Sequence, residues 1–325
     1  MLESVPRSPP PTTTPAASPS ALGGAPGLAR GRRLCEIVAS SKPPQGCGLG
    51  VLRAIPGLLG ALVAAGCSGV FFYPDQVVYL TPDRLPTPVE EVFVPSPEGV
   101  LHAWWMPAAE PRGAVFFLHG NAQNLTSHVL NVAWLPASGY SVMIFDYRGY
   151  GQSSGSPDLT GVVEDSLLAY RWFREKTPSG PRFILGQSLG GALSVRLAAD
   201  PTVRGSVRGL VADAAFASYP GIVREKLAQV WLTWPLQYPL SWLVPGDNDA
   251  VDHIGHIDAP LLMFHSSRDA VIPYHHGEWL YASAQEPKRL ISTTTEHTGT
   301  FLELRHRAEL IAFLDAHGAA LSGTK

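Results

Sequence analysis

Cysteine is nearly missing from this chain: its three, Cys35, Cys47 and Cys67, all lie in the first fifth of 325 residues. With none from residue 68 onward, the body can form neither a disulfide nor a thiolate metal site. A disulfide scaffold and a Cys-ligated zinc domain are therefore excluded there. Charge is scarce too. Charged residues make up 16% of the chain, where about 25% is usual for a soluble protein. Lys and Arg form no extended run, and the formal net charge is −3. Nucleic-acid binding needs clustered cations against phosphate, so that class is set aside. His253 and His256 have no convincing third partner for zinc, so a metal site is not expected.

Proline and glycine, by contrast, are plentiful, at 30 and 32 residues. Nine of the prolines fall in residues 1–50, where PRSPPPTTTPAASPS has no periodic apolar pattern. Such a stretch cannot bury enough surface to offset its ordering entropy, so residues 1–50 are expected to be disordered. A translation start at Val51 or a neighbour is the alternative. The character changes at Arg53, which precedes the apolar run AIPGLLGALVAAGCSG. Residues 51–66 have the form of a signal peptide. Val63-Ala64-Ala65-Gly66-Cys67 resembles the bacterial lipoprotein signal, which is cut before the cysteine so that its thiol can carry a lipid. Ser68 after it resembles an outer-membrane address. Lipidation at Cys67, a membrane partner through that anchor and a periplasm-facing location in the cell envelope are the expectations. The competing readings are an uncleaved anchor, a secreted chain or a buried segment. Ala54 to Tyr73 is 20 residues without charge, enough to span a bilayer, although four glycines and a proline weaken it as a helix.

Residues 67–325 are expected to form a single domain. Val89–Val94 and Val100–Met106 read as a hairpin across Pro95-Ser96-Pro97-Glu98-Gly99. Short apolar runs follow at Ala114–Leu118, Ser141–Phe145, Arg182–Leu185, Val207–Ala212, Leu261–Phe264 and Arg289–Ser292. They lack strict alternation, as strands buried on both faces do. Helical spacing spans Leu159–Lys176, Ser188–Ala199 and Phe301–His317. The fold class is α/β, with an eight-stranded, mostly parallel sheet and helices on both faces. Ligands of such sheets bind at the carboxyl ends of the strands.

Gly-x-Ser-x-Gly occurs twice, around Ser153 and around Ser188. The chemistry needs a strand, a sharp turn that exposes the hydroxyl, and a helix. Ser188 has all three: Arg182–Leu185 before it and a small-residue helix after it. Ser153 follows Asp146-Tyr147-Arg148-Gly149-Tyr150, and Pro157 and Asp158 delay any helix. A serine hydroxyl also needs a base. His297 and Asp269 follow the last two strands at the same sheet edge, and they are expected to act as base and acid. Asp213, after another strand, is the rival acid. The backbone N–H groups of Leu189 and Asn121 are expected to form the oxyanion hole, with Gly120 allowing the turn.

These residues resemble the α/β-hydrolase superfamily over roughly residues 70–317. The resemblance rests on His119-Gly120-Asn121, Asp146-Tyr147-Arg148-Gly149-Tyr150-Gly151, Gly186-Gln187-Ser188-Leu189-Gly190-Gly191, Asp269 and His297. Within the superfamily the chain looks like the Bem46-type branch, similar to hydrolases that remove palmitoyl groups from proteins. The resemblance implies a serine-dependent hydrolase of acyl esters or thioesters, without cofactor. The family usually has Gly where this chain has Ser266, and Gly where it has Glu296. Both departures lie in loops that position a catalytic group. Residues 214–257 contain Tyr219, Trp231, Trp234, Tyr238 and Trp242. They read either as an apolar lid lining an acyl site or as a helix packed on the sheet by those aromatics. Two rivals remain open: a serine peptidase of the same fold and a non-catalytic envelope lipoprotein.

Overall fold

Eight apolar segments pair into one sheet, and their burial follows from what covers each face. The computed structural model describes residues 71–318. The expected signal peptide, the lipidation site Cys67 and the Pro-rich residues 1–50 lie outside them. In chain order the strands are β1 (Glu90–Ser96), β2 (Gly99–Met106), β3 (Gly113–Leu118), β4 (Tyr140–Phe145), β5 (Arg182–Gln187), β6 (Gly209–Asp213), β7 (Leu261–Ser266) and β8 (Lys288–Thr293). The sheet order is β8-β7-β6-β5-β3-β4-β2-β1. Only β2 runs against the rest, pairing antiparallel with β1 and β4. Every residue of β3, β4, β6 and β7 is buried, which is why these strands show no alternation. β1 sits at an edge, and alternate side chains at its centre, Val92 and Val94, point into the core.

Helix α1 (Leu159–Lys176) has the bounds its spacing predicts, and Asp158 caps it by accepting from Thr160 and Gly161 N–H. Helix α2 (Leu189–Ala198) is buried along nearly its whole length, so only small and aliphatic side chains fit. Helices α3 (Tyr219–Ala228), α4 (Tyr274–Ser283) and α5 (Leu304–Gly318) complete the main cover. One face of the sheet holds Phe116, Phe145, Tyr170 and Phe173. The other holds Val115, Phe117, Phe183 and Phe264. Among the described residues no helix is long and apolar enough to cross a membrane.

The order in which strands are added reverses at β3. From it the sheet grows one way to β4 and the other way to β5, with Leu118 opposite Gly186. The loops leaving β3 and β5 therefore diverge over a crevice at the carboxyl edge, where α/β sheets hold their ligands.

Candidate active site

Strand β5 ends at Gln187, α2 begins at Leu189, and Ser188 alone makes the corner. Its backbone lies at φ 56° and ψ −117°, a conformation few side chains tolerate. Ser188 N–H donates to the Asp213 carbonyl at 2.9 Å, and its own carbonyl accepts from Gly191 N–H at 2.9 Å. The corner is tight because the flanking glycines let backbones touch. A Cβ on Gly186 would sit 2.0 Å from the Gly190 carbonyl oxygen. One on Gly190 would sit 2.0 Å from that of Leu118.

The side chains converge. His297, in the loop after β8, places Nε2 2.9 Å from Ser188 Oγ. Its Nδ1 lies 2.7 Å from Asp269 Oδ2. Asp269 comes from the loop after β7, and its other oxygen accepts from Val271 and Ile272 N–H at 2.8 and 2.9 Å. Burial pushes the Asp269 carboxyl up, but the His297 contact and those two N–H groups outweigh it and leave it below the ordinary carboxylate value. A neutral His297 consequently keeps its proton on Nδ1 and presents a bare Nε2 to the Ser188 hydroxyl. The His297 side chain is 19% exposed, so one edge of this chain of contacts meets solvent.

The rival acid is engaged elsewhere. Asp213 accepts from Gln187 Nε2 and Thr300 Oγ1, both at 2.8 Å. Burial raises its carboxyl to about 6 against those two hydrogen bonds. A carboxyl raised on folding binds more protons folded than unfolded between about pH 4 and 6. Stability therefore falls as pH rises through that window and stays lower above it, by about 3 kcal/mol for a carboxyl moved that far. Asp213→Asn is expected to stabilise the protein by about 1–3 kcal/mol at pH 8, with the gain shrinking toward pH 4. Urea unfolding across that range measures it. Turnover should stay within a few-fold; a loss near 10⁴ would make Asp213 the acid.

The competing serine is also closed off. Ser153 Oγ donates to the Asp146 carbonyl at 2.7 Å and accepts from His102 N–H of β2 at 2.9 Å, so it is buried between its loop and the sheet. Of the two family departures, Ser266 gains a contact: its hydroxyl donates to the Thr295 carbonyl at 2.6 Å, tying the Asp269 loop to the His297 loop. Glu296 is exposed.

Above Ser188 passes the loop His119-Gly120-Asn121. A Cβ on Gly120 would fall 3.7 Å from Ser188 Cβ. The Asn121 side chain fixes this loop, donating to the Phe71 carbonyl at 2.6 Å and accepting from the Tyr150 hydroxyl at 2.8 Å. Neither the Asn121 nor the Leu189 N–H has an acceptor among the described residues. Beneath the loop, buried Asp146 accepts from Leu125 N–H at 2.7 Å and lies 3.3 Å from His119 Nε2. Burial opposes its charge, but His102, His119 and that amide hold the carboxyl below its ordinary value. His128 stacks on His119, and burial followed by the charge of His119 drives it down to about 4. A neutral His128 then donates Nε2–H to the Ala122 carbonyl at 2.9 Å. Sequence reading missed this support, since no spacing rule links residues 102, 119, 128 and 146.

One trio among the described residues has metal-like positions: Glu225, His275 and His276. Ala217 N–H donates to His276 Nδ1 at 3.1 Å, which puts the imidazole proton on Nε2, facing Glu225 at 3.3 Å. A protonated nitrogen is no ligand, and the trio reads as a polar clasp between α3 and α4.

The family described as serine aminopeptidase, S33, matches residues 109–249. The uncharacterized protein YfhR of Escherichia coli (strain K12) is 34% identical over 260 residues, covering 75% of this chain and 86% of that protein. The lysophosphatidylserine lipase ABHD12 of Danio rerio is 30% identical over 188 residues, 54% of this chain and 48% of that protein. Among solved structures, the Pyrococcus furiosus esterase Pf2001 superposes with a TM-score of 0.62 at 19% identity, over 76% of this chain and all of that one.

Proposed function

The chain belongs to the YfhR family of α/β hydrolases, and from that premise we propose that it cleaves a carboxylic ester or thioester through an acyl-enzyme on Ser188. The observation that carries the reading is the unbroken contact from Asp269 through His297 to Ser188 Oγ. Ser188 Oγ attacks the acyl carbonyl as its proton passes to His297 Nε2. Asp269 holds the imidazole and stabilises the imidazolium that forms. The Leu189 and Asn121 N–H groups receive the oxyanion. His297 returns the proton to the departing alkoxide or thiolate, and water then repeats the sequence to free the acid. No step calls for a metal or cofactor.

The lipase name of the Danio rerio relative fits an acyl ester of lipid type. Within the superfamily we propose the Bem46-type branch, on the His119-Gly120-Asn121 and Asp146–Gly151 motifs. Cys67 is the proposed lipid attachment site, which places the domain at the envelope facing the periplasm. The aminopeptidase description of the matching family favours a second reading, hydrolysis of aminoacyl amides. An amine-recognising site would want a free carboxylate, and in α3 Glu225 is held by His275 and His276.

Parallel assays on acyl p-nitrophenyl esters, acyl thioesters and aminoacyl p-nitroanilides decide between them. The expected result is a kcat/KM for esters and thioesters well above that for the anilides. The reverse order would establish the peptidase.

A further inference from the structure

The segment after α3 turns its aromatic side chains outward. Trp231 is 85% exposed, Trp242 75% and Trp234 60%, with Leu232 and Tyr238 beside them. Tyr219, at the start of α3, is by contrast buried against the core. From Leu227 to Gly246 there is no charged residue. Soluble monomers rarely leave so contiguous an apolar surface in water without a use for it.

We propose that this surface docks on a phospholipid bilayer and that the hydrolase draws its acyl substrate from there. Three observations select a membrane as the occupant. First, the side chains of Thr233, Gln237 and Ser241 are already satisfied from within the segment. The Thr233 hydroxyl donates to the Leu227 carbonyl at 2.8 Å, Gln237 Nε2 to the Trp234 carbonyl at 3.0 Å, and the Ser241 hydroxyl to the Tyr238 carbonyl at 3.0 Å. The backbone closes in short turns, with Trp234 N–H on Val230 and Trp242 N–H on Tyr238. A surface entering a water-poor region needs that self-sufficiency. Second, Trp and Tyr among aliphatic residues match the boundary between headgroups and acyl chains.

Third, the uncharged run from Ala54 leads directly into Phe71, where the described chain begins. The Phe71 ring packs edge-on against Phe216 and Tyr219, with centroids 6.0 and 5.6 Å away. Tyr219 opens α3, whose ten residues span about 15 Å and lead to the aromatic patch. Only Ser68, Gly69 and Val70 separate Cys67 from Phe71, a reach of at most about 14 Å. A lipid on Cys67 or an apolar anchor ending there would hold this side of the domain against the bilayer. The far end of α3 also meets the catalytic loops, where Lys226 Nζ lies 3.5 Å from the carbonyl of Ala270, next to Asp269.

Docking itself stands apart from catalysis; only the origin of the substrate rests on the proposed hydrolase activity. The test uses the full chain carrying Cys67→Ser, so that lipidation cannot contribute, and vesicles of phosphatidylethanolamine and phosphatidylglycerol with brominated acyl chains. Bromine quenches tryptophan at the depth of the acyl chains. Quenching of the Cys67→Ser chain is expected, and adding Trp231→Ser, Trp234→Ser and Trp242→Ser should abolish it and weaken vesicle partitioning about tenfold or more. Hydrolysis of a water-soluble ester serves as the folding control and should persist in that variant. Absent quenching, or equal quenching in both proteins, overturns the proposal, including the case where the chain binds vesicles through residues 54–70 alone. Loss of soluble-ester hydrolysis in the Cys67→Ser chain that still docks would instead count against the enzymatic reading.

Discussion

Ser188→Ala is expected to lower kcat by about a millionfold, and Asp269→Asn by about ten-thousandfold, with KM changed far less in both. The two losses differ in kind. Without Oγ no acyl-enzyme can form, and only binding and the oxyanion donors are left to help water attack. An asparagine in place of Asp269 would keep the shape of the acid but present an amide to His297 Nδ1, now 2.7 Å from a carboxylate oxygen. The amide favours the wrong tautomer, so Nε2 would carry a proton and could not accept one from Ser188. A double variant should be no worse than Ser188→Ala, because the residues act as one unit. Steady-state rates on an activated ester measure all three. A Ser188→Ala enzyme retaining a tenth of wild-type turnover would move the nucleophile elsewhere.

Gly190→Ala should destabilise the domain by more than about 4 kcal/mol, the range of severe backbone conflicts. The added Cβ would meet the Leu118 carbonyl oxygen at 2.0 Å and that of His119 at 2.6 Å. Neither atom is a side chain that can swing aside. Relief would require α2 to lift away from β3, opening the most buried helix of the fold and shifting Ser188 relative to the His119–Asn121 loop. A fall in Tm of roughly 8–16 °C is the corresponding thermal signature. Gly180→Ala is the control, since a Cβ there meets nothing within 4 Å; its φ of +89° leaves only a backbone cost, about 1 kcal/mol.

Much of this arrangement was legible in the residues. Strand β5, the glycine-flanked Ser188 and the small side chains of α2 form a local pattern in which each residue type has one steric reason. Helix α1 could be bounded from Asp158 and Pro178 because capping and chain termination are also local. The loops holding Asp269 and His297 followed from strands ending just before them. What could not be read was long-range and rotational. Asp213 bonds Thr300, 87 positions away, and nothing in either neighbourhood announces the other. The Asp146 cluster joins two loops, a short helix and a strand in the same way. In residues 229–246 short irregular turns replace a periodic helix, so spacing could not tell which way the tryptophans face. Packing on the sheet was one of two readings for these aromatics, and the structure instead turns Trp231, Trp234, Tyr238 and Trp242 outward.

The central claim is that Ser188 is an activated nucleophile. Labelling the folded protein with a fluorophosphonate and locating the adduct by mass spectrometry tests it most directly. The account predicts one adduct, on Ser188, that forms in the wild type and is lost in Ser188→Ala. Folded protein that takes no label, or takes it on Ser153, would contradict the account, and the first of these would point to a fold used for binding rather than turnover.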